Sequence, residues 1–352
     1  MTALDANQST GSALRWGVGM WQTYAPGPFV EVVRLCDQLG YDQFWLGNHK
    51  LYRDMMMLLT LAASHSERIK LGTFIAEPYT MHPALIAAAM GTLDEISNGR
   101  ALLGIGTGGA NFKELGVERL HPLAAMDETI RIIRGLFAGE TVSLKGKVFT
   151  AENAKLQFNT RPNIPIVLAT RGTRMLELAG RMADEVMIAT FARPDGVQYA
   201  LDLVRRGAEQ AGRSLNDVGL ISRVDMCVWP DRKVARDAVK PMIAALLMGS
   251  YPDRSFVHQM GLTVPEELVE ILRERNEARS FGAWRLVPDE FVDAFAWAGT
   301  PDDVARQVAE IIKLGITQIT FLAHPPAGVA MEVLMRAWME EVVPRVRRLV
   351  GE

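Results

Sequence analysis

The chain has 352 residues, 49% hydrophobic and 22% charged, so it can bury a sizeable core and lacks the composition of a disordered segment. Its 38 basic and 41 acidic side chains leave a formal charge of −3, which gives no electrostatic case for nucleic acid or for an anionic membrane surface. Cys36 and Cys227 are too far apart in sequence to suggest a metal-binding spacing and no run approaches a membrane span, so a metal-free protein of the reducing cytoplasm is expected.

Residues 1–13 read as a polar, frayed leader without the apolar core of a signal peptide. The first strand is expected over 14–20, followed by a loop over 21–28 with two prolines and a glycine, and a helix over 29–39 closed by Gly40. A short buried strand, 44–47, ends at Asn48-His49, and a helix follows over 55–64. The apolar run 69–76 stops at Glu77-Pro78, because proline cannot donate to a ladder and restricts the residue before it. Pro83 stands where helices begin, and the alanine-rich stretch 84–96 runs to Asn98-Gly99, where glycine can turn left-handed. Ala101–Ile105 is a second buried run that leads into Gly106-Thr107-Gly108-Gly109. Two continuously apolar strands joined by a helix imply parallel pairing, with both C-terminal ends on the edge where α/β folds bind ligands.

The remaining chain repeats the pattern. A helix over 122–138 precedes a hairpin excursion within 140–160, marked by Lys145-Gly146-Lys147 between β-prone segments. Strands at 165–169, 186–189, 218–228 and 319–322 alternate with helices at 173–181, 195–212 and 234–248 and with one opened by Gly299-Thr300-Pro301-Asp302-Asp303; a closing helix spans 329–349. Residues 249–295 exceed the length of a connection and read as an insertion near one end of the fold. Eight strand candidates alternating with helices, without a boundary-like linker, predict one (β/α)8 TIM barrel over 1–352, with an open doubly wound sheet as the rival.

Several places carry chemistry by residue type. His49, at a strand end, can shuttle protons near neutral pH, or be one more hydrogen-bonded loop residue. Thr170-Arg171-Gly172-Thr173 opens a helix directly after a strand; free amides, the positive dipole end and a glycine suit a phosphate, and an ordinary βα turn fits the same pattern. Glu77 can touch a substrate, give it a proton, or pair with a loop cation. The glycines of residues 104–109 do not sit in a first βαβ unit, so they are no evidence of a dinucleotide fingerprint.

His82-Pro83-Ala84, Leu93-Asp94, Ser97, Gly99-Arg100 and Gly104-Ile105-Gly106-Thr107-Gly108 together form a line that resembles the luciferase-like family of flavin and deazaflavin oxidoreductases. Arg171-Gly172-Thr173 with Leu178-Ala179-Gly180, and Ala294-Phe295, Gly299-Thr300-Pro301-Asp302-Asp303 and Leu314-Gly315-Ile316-Thr317-Gln318, extend the likeness over 14–323 and are similar to the methylenetetrahydromethanopterin-reductase-like branch. The resemblance implies a luciferase-like barrel and an oxidoreductase that moves a hydride between coenzyme F420 and a small organic substrate. The alternatives are an FMN-dependent monooxygenase and, from another class, a catalytically silent flavin-binding protein. It places the cofactor phosphate on Thr170, Arg171, Gly172 and Thr173, and the ring or its chain on the amides of Thr107, Gly108 and Gly109. A non-prolyl cis peptide at Phe74–Ile75, with Ala76 beside it, would press on the back of the ring. Asn48, placed among the cofactor-binding residues, stands where the family commonly has aspartate, so His49 loses a charged neighbour and hydrogen bonding to the cofactor ring is expected of it; Gly109 replaces an acid that other members use in catalysis, and His49 or Glu77 is expected to handle the proton. Asp94 and Arg100 are expected to be structural. A homodimer is expected as well.

Overall fold

The computed structural model describes residues 14–109, 111–274 and 276–352; the leader expected over 1–13 lies outside them. In chain order the first half runs β1 (Arg15–Met20), α1 (Pro26–Gln38), β2 (Gln43–Gly47), α2 (Met55–Ala63), β3 (Lys70–Phe74), α3 (Pro83–Ile96), β4 (Ala101–Ile105), α4 (Pro122–Phe137), β5 (Val142–Lys145) and β6 (Thr150–Ala154). It continues with β7 (Ile166–Thr170), α5 (Thr173–Met182), β8 (Glu185–Ala189), α6 (Pro194–Gln210), β9 (Gly219–Val228), α7 (Arg232–Ser250), α8 (Ser255–Gln259), α9 (Glu266–Arg273), α10 (Glu277–Gly282) and α11 (Asp289–Phe295). The chain closes with β10 (Ala296–Gly299), α12 (Pro301–Ile312), β11 (Gln318–Ala323), α13 (Met331–Ala337) and α14 (Val343–Val350).

Strands β1, β2, β3, β4, β7, β8, β9 and β11 pair in parallel in that order, and β11 returns to β1 with Gln318 opposite Arg15. The sheet is therefore the closed eight-stranded barrel that the alternation predicted, not the open sheet. Its lumen is filled in layers. At the N-terminal end Gln43 donates to Gln318 at 2.6 Å, and Gln318 to Glu185 at 3.1 Å. Above them Trp45, Leu102, Val167, Met187 and Ile221 form an apolar plug. The Trp45 indole fits because glycines face it: a Cβ on Gly72 would stand 2.1 Å from its ring, and those of Gly17 and Gly104 within 3.2 Å. Asp94 and Arg100 lie at this same end, as expected. Arg161 holds the Asp94 carboxylate at 2.7 and 3.0 Å, while Arg100 donates to Ser97, Ile69, Ala63 and both Ser66 oxygens.

The hairpin β5–β6 leaves the barrel between α4 and β7, and Glu128 of α4 pins its turn by accepting amides from Lys147, Val148 and Phe149 at 2.6–3.0 Å. Three boundaries differ from the sequence reading. Helix α1 starts at Pro26, so both prolines of the supposed loop lie in its first turn, where a missing N–H costs nothing. The closing helix is interrupted by a π turn over Trp338–Val342. The stretch after 295 is a strand: β9 is ten residues long, and its last four, from Asp225, pair with β10. Among the described residues no helix is long and apolar enough to cross a membrane.

Candidate active site

The C-terminal ends of the strands form the mouth, and its floor is the end of β3. The Phe74–Ile75 peptide is cis, at the bond the sequence singled out. The chain leaves the ladder there and rejoins it at Ala76, whose amide donates to the Gly104 carbonyl at 2.9 Å and whose carbonyl accepts from Gly106 at 3.2 Å. This close approach needs the glycines of β4: a Cβ on Gly104 would lie 2.0 Å from the Thr73 carbonyl, and one on Gly106 2.3 Å from Ile75 Cδ1. Asn48 donates to the Ile75 carbonyl at 3.2 Å, so the sequence-predicted Asn48 and Ile75 meet.

His49 stacks on Trp21 with ring centroids 4.4 Å apart and meets Tyr52 edge-on at 5.2 Å. Burial, reinforced by the Lys50 charge, holds its pKa below the ordinary imidazole value, so the ring is neutral at pH 7. Burial also lowers the Lys50 ammonium, against the pull of Glu77, which lies 3.6 Å away. Glu77 is 2% exposed, and its oxygens accept from the amides of Tyr79 at 2.8 Å and Thr80 at 3.3 Å and from the Thr80 hydroxyl. Its carboxylate is thus turned onto its own loop and Lys50.

Gly108 takes φ 71°, and a side chain there would run into the Phe112 ring, whereas a Cβ on Gly109 or Gly172 would meet nothing within 4 Å. Gly172 caps α5 without a side-chain hydrogen bond to the helix, and its own amide donates to Thr170 Oγ1 at 3.2 Å. Thr173 Oγ1 lies 2.8 Å from the Tyr199 hydroxyl. Arg171 is half-buried. It donates to Ser250 Oγ, stacks 5.2 Å over Phe256, and burial together with the nearby Arg223 brings its pKa down to about 10 despite Asp253 and Asp225. Here the 249–295 region meets the mouth.

The sequence reading missed Arg223, Asp225 and His324. Arg223 donates to both Asp225 oxygens at 3.1 and 3.3 Å, and the guanidinium lies 5.2 Å over the Phe74 ring. His324, directly after β11, holds Asp225 at 2.7 Å through Nε2. Burial works to raise the Asp225 pKa, but Arg223 and His324 outweigh it and keep the carboxylate below its ordinary range. The signal was present: Ile221, Arg223 and Asp225 alternate along one face of an otherwise apolar strand, so two charges had to enter the lumen. His324 follows its strand as His49 follows β2.

The mouth suits a flat ring with an anionic tail. It offers a floor of backbone and Phe74, a helix start without a side-chain cap where the space beside the Gly172 Cα is open, and buried donors without a partner at Trp21 Nε1 and Arg223 Nε. Comparison with known proteins points the same way. The profile of the luciferase-like monooxygenase family matches residues 9–318. The 5,10-methylenetetrahydromethanopterin reductase of Archaeoglobus fulgidus is 35% identical over 321 residues, 90% of this chain and 94% of that one. The F420-dependent glucose-6-phosphate dehydrogenase of Microbacterium testaceum is 26% identical over 341 residues, 93% and 95% of the two chains. The solved structure of the coenzyme F420 dependent tetrahydromethanopterin reductase from Methanopyrus kandleri superposes with a TM-score of 0.84 at 27% identity, covering 95% of this chain and all of that one.

Proposed function

We propose, given that this chain belongs to the luciferase-like monooxygenase family, that it is an oxidoreductase exchanging a hydride between coenzyme F420 and a small electrophilic substrate of the methylenetetrahydromethanopterin type. The observation that carries this reading is the 35% identity to a reductase of that substrate along 90% of the chain. The deazaflavin, when bound, supplies the hydride. Thr170, Gly172, Thr173 and the start of α5 would hold its phosphate with amides and the helix dipole, while Arg171, fixed by Ser250 and Phe256, adds positive field. Thr107, Gly108 and Gly109 would present backbone to the ring or its chain, above a floor of Phe74, Ile75 and Ala76 that Asn48 holds in place. His49, kept neutral, is a hydrogen-bonding partner for the ring. Glu77 positions the loop beside it and balances Lys50.

Anaerobic titration tests this directly. F420 is expected to bind saturably, and its reduced form to be oxidised on addition of methylenetetrahydromethanopterin. Saturable binding of FMN, with oxygen consumption once air is admitted, and no binding of F420 would replace the reading with the monooxygenase alternative; binding without turnover of any acceptor would support a silent flavin-binding protein. Two further proposals concern the setting. The free, buried Cys36 and Cys227 suit the reducing cytoplasm. Met57 on α2 and Leu85 and Ile96 on α3 are 73%, 61% and 41% exposed, an apolar face that a second copy would cover in a homodimer.

A further inference from the structure

We propose that His324, held by the carboxylate of Asp225, is the residue that gives the substrate its proton in the barrel mouth, with Arg223 fixing the carboxylate. The proposal rests on the functional reading above and fills a gap in it. Neither His49, a buried neutral ring stacked on Trp21, nor Glu77, whose oxygens are taken by its own loop, is set to release a proton.

His324 is. Its backbone amide donates to the Met226 carbonyl at 2.8 Å and its Nε2 lies 2.7 Å from Asp225, so β9 fixes both ends of the residue. Asp225 and Arg223 side chains are 3% and 7% exposed, whereas His324 is 16% exposed, which makes the imidazole the open end of a buried chain of charges. The contact engages Nε2 and leaves Nδ1 for exchange. The charged groups around the pair are Arg223 on the same strand and, beyond it, Arg171 at the start of α5 and Asp253 after α7.

In the step proposed, the hydride of the reduced deazaflavin forms a C–H bond at the electrophilic carbon. The carbon–heteroatom bond that breaks, a π bond in an imine or carbonyl or a σ bond in a bridging methylene, leaves its electron pair on the heteroatom, which takes the proton from His324. The proton that the cofactor would lose on oxidation would return to His324, so that one hydride and one proton would leave the cofactor and both would reach the substrate.

The test uses the full chain and its His324→Gln and Asp225→Asn variants, with F420 and methylenetetrahydromethanopterin as probes. His324→Gln is expected to keep F420 affinity within about twofold and to lose about 100-fold or more in turnover, the usual scale of a proton donor. Asp225→Asn, which replaces the carboxylate that holds Nε2, is expected to change the nitrogen NMR signals of the His324 imidazole and to lower turnover while F420 affinity stays within about twofold. A His324→Gln variant that turns over like the parent, or imidazole nitrogen signals indifferent to Asp225→Asn, overturns the assignment alone. A parent chain that does not bind F420 overturns the functional reading and this role with it.

Discussion

His49 is neutral at pH 7 because its neighbours disfavour the charge: burial against Trp21 removes water, and Lys50 adds repulsion. The lowered pKa has a definite consequence for stability. Below an ordinary imidazole pKa of about 6.5 the unfolded chain takes up this proton more readily than the folded one, so stability is lost as pH falls from that value toward the lower folded one and is fully present above about 6.5. Urea unfolding between pH 5 and 8 is expected to show stability rising with pH across the acid half of that range, with a shallower slope in His49→Gln; equal slopes would remove His49 as the cause. His49 was legible in the sequence because it ends an apolar strand. Asp225 and Arg223 were legible in principle by the same period-two argument, but a long strand dense in valine, isoleucine and methionine draws attention to its core face, and the charges were passed over.

Helix α5 crosses α6 more closely than side chains would allow. A Cβ on Gly207 would lie 1.8 Å from the Glu177 carbonyl, and one on Gly180 2.0 Å from that of Val204. Replacing a mid-helix glycine by alanine ordinarily gains up to about 1 kcal/mol of helix propensity. Here the obstructing atoms are backbone and cannot step aside, so Gly207→Ala is expected to destabilise by about 1–3 kcal/mol, the scale of overpacking. Gly249→Ala, in α7 with nothing within 4 Å, serves as the opposite case and is expected to be neutral or stabilising in the same thermal melt. Periodicity revealed that α5 and α6 exist, since both have apolar faces, but it is silent on which pair of helices meets through glycine. The same limit hid β10. Four residues, Ala-Trp-Ala-Gly, carry no pattern of their own and become a strand because β9 runs on past the end of β8 to offer them a partner.

At the scale of the whole molecule, the exposed apolar side chains Met57 of α2 and Leu85 and Ile96 of α3 are where we place the contact between two copies. Light scattering is expected to find a dimer for the parent chain and a monomer for Leu85→Glu or Met57→Glu, because a buried unpaired carboxylate at each copy's contact opposes association. A parent chain that runs as a monomer sinks the proposed pairing. The closed barrel was readable from the count of alternating strands and helices, and the branch from short motifs at the strand ends. The contents of the lumen were not, because they depend on which residues face inward at matching heights. Trp45 shows what that implies. One indole takes the room that a side chain at Gly72 would need and borders Gly17 and Gly104, which are closed in addition by Thr320 and by the Thr73 carbonyl, so Trp45 and Gly72 cannot drift alone. A lineage that trims the tryptophan leaves a void no single neighbour can fill, and one that enlarges a glycine first meets an occupied space. Descendants of this chain are therefore confined to keeping Trp45 and Gly72 or exchanging them in concert, while Gly104 stays fixed by backbone whatever the indole does, which makes the plug a slow clock inside the barrel.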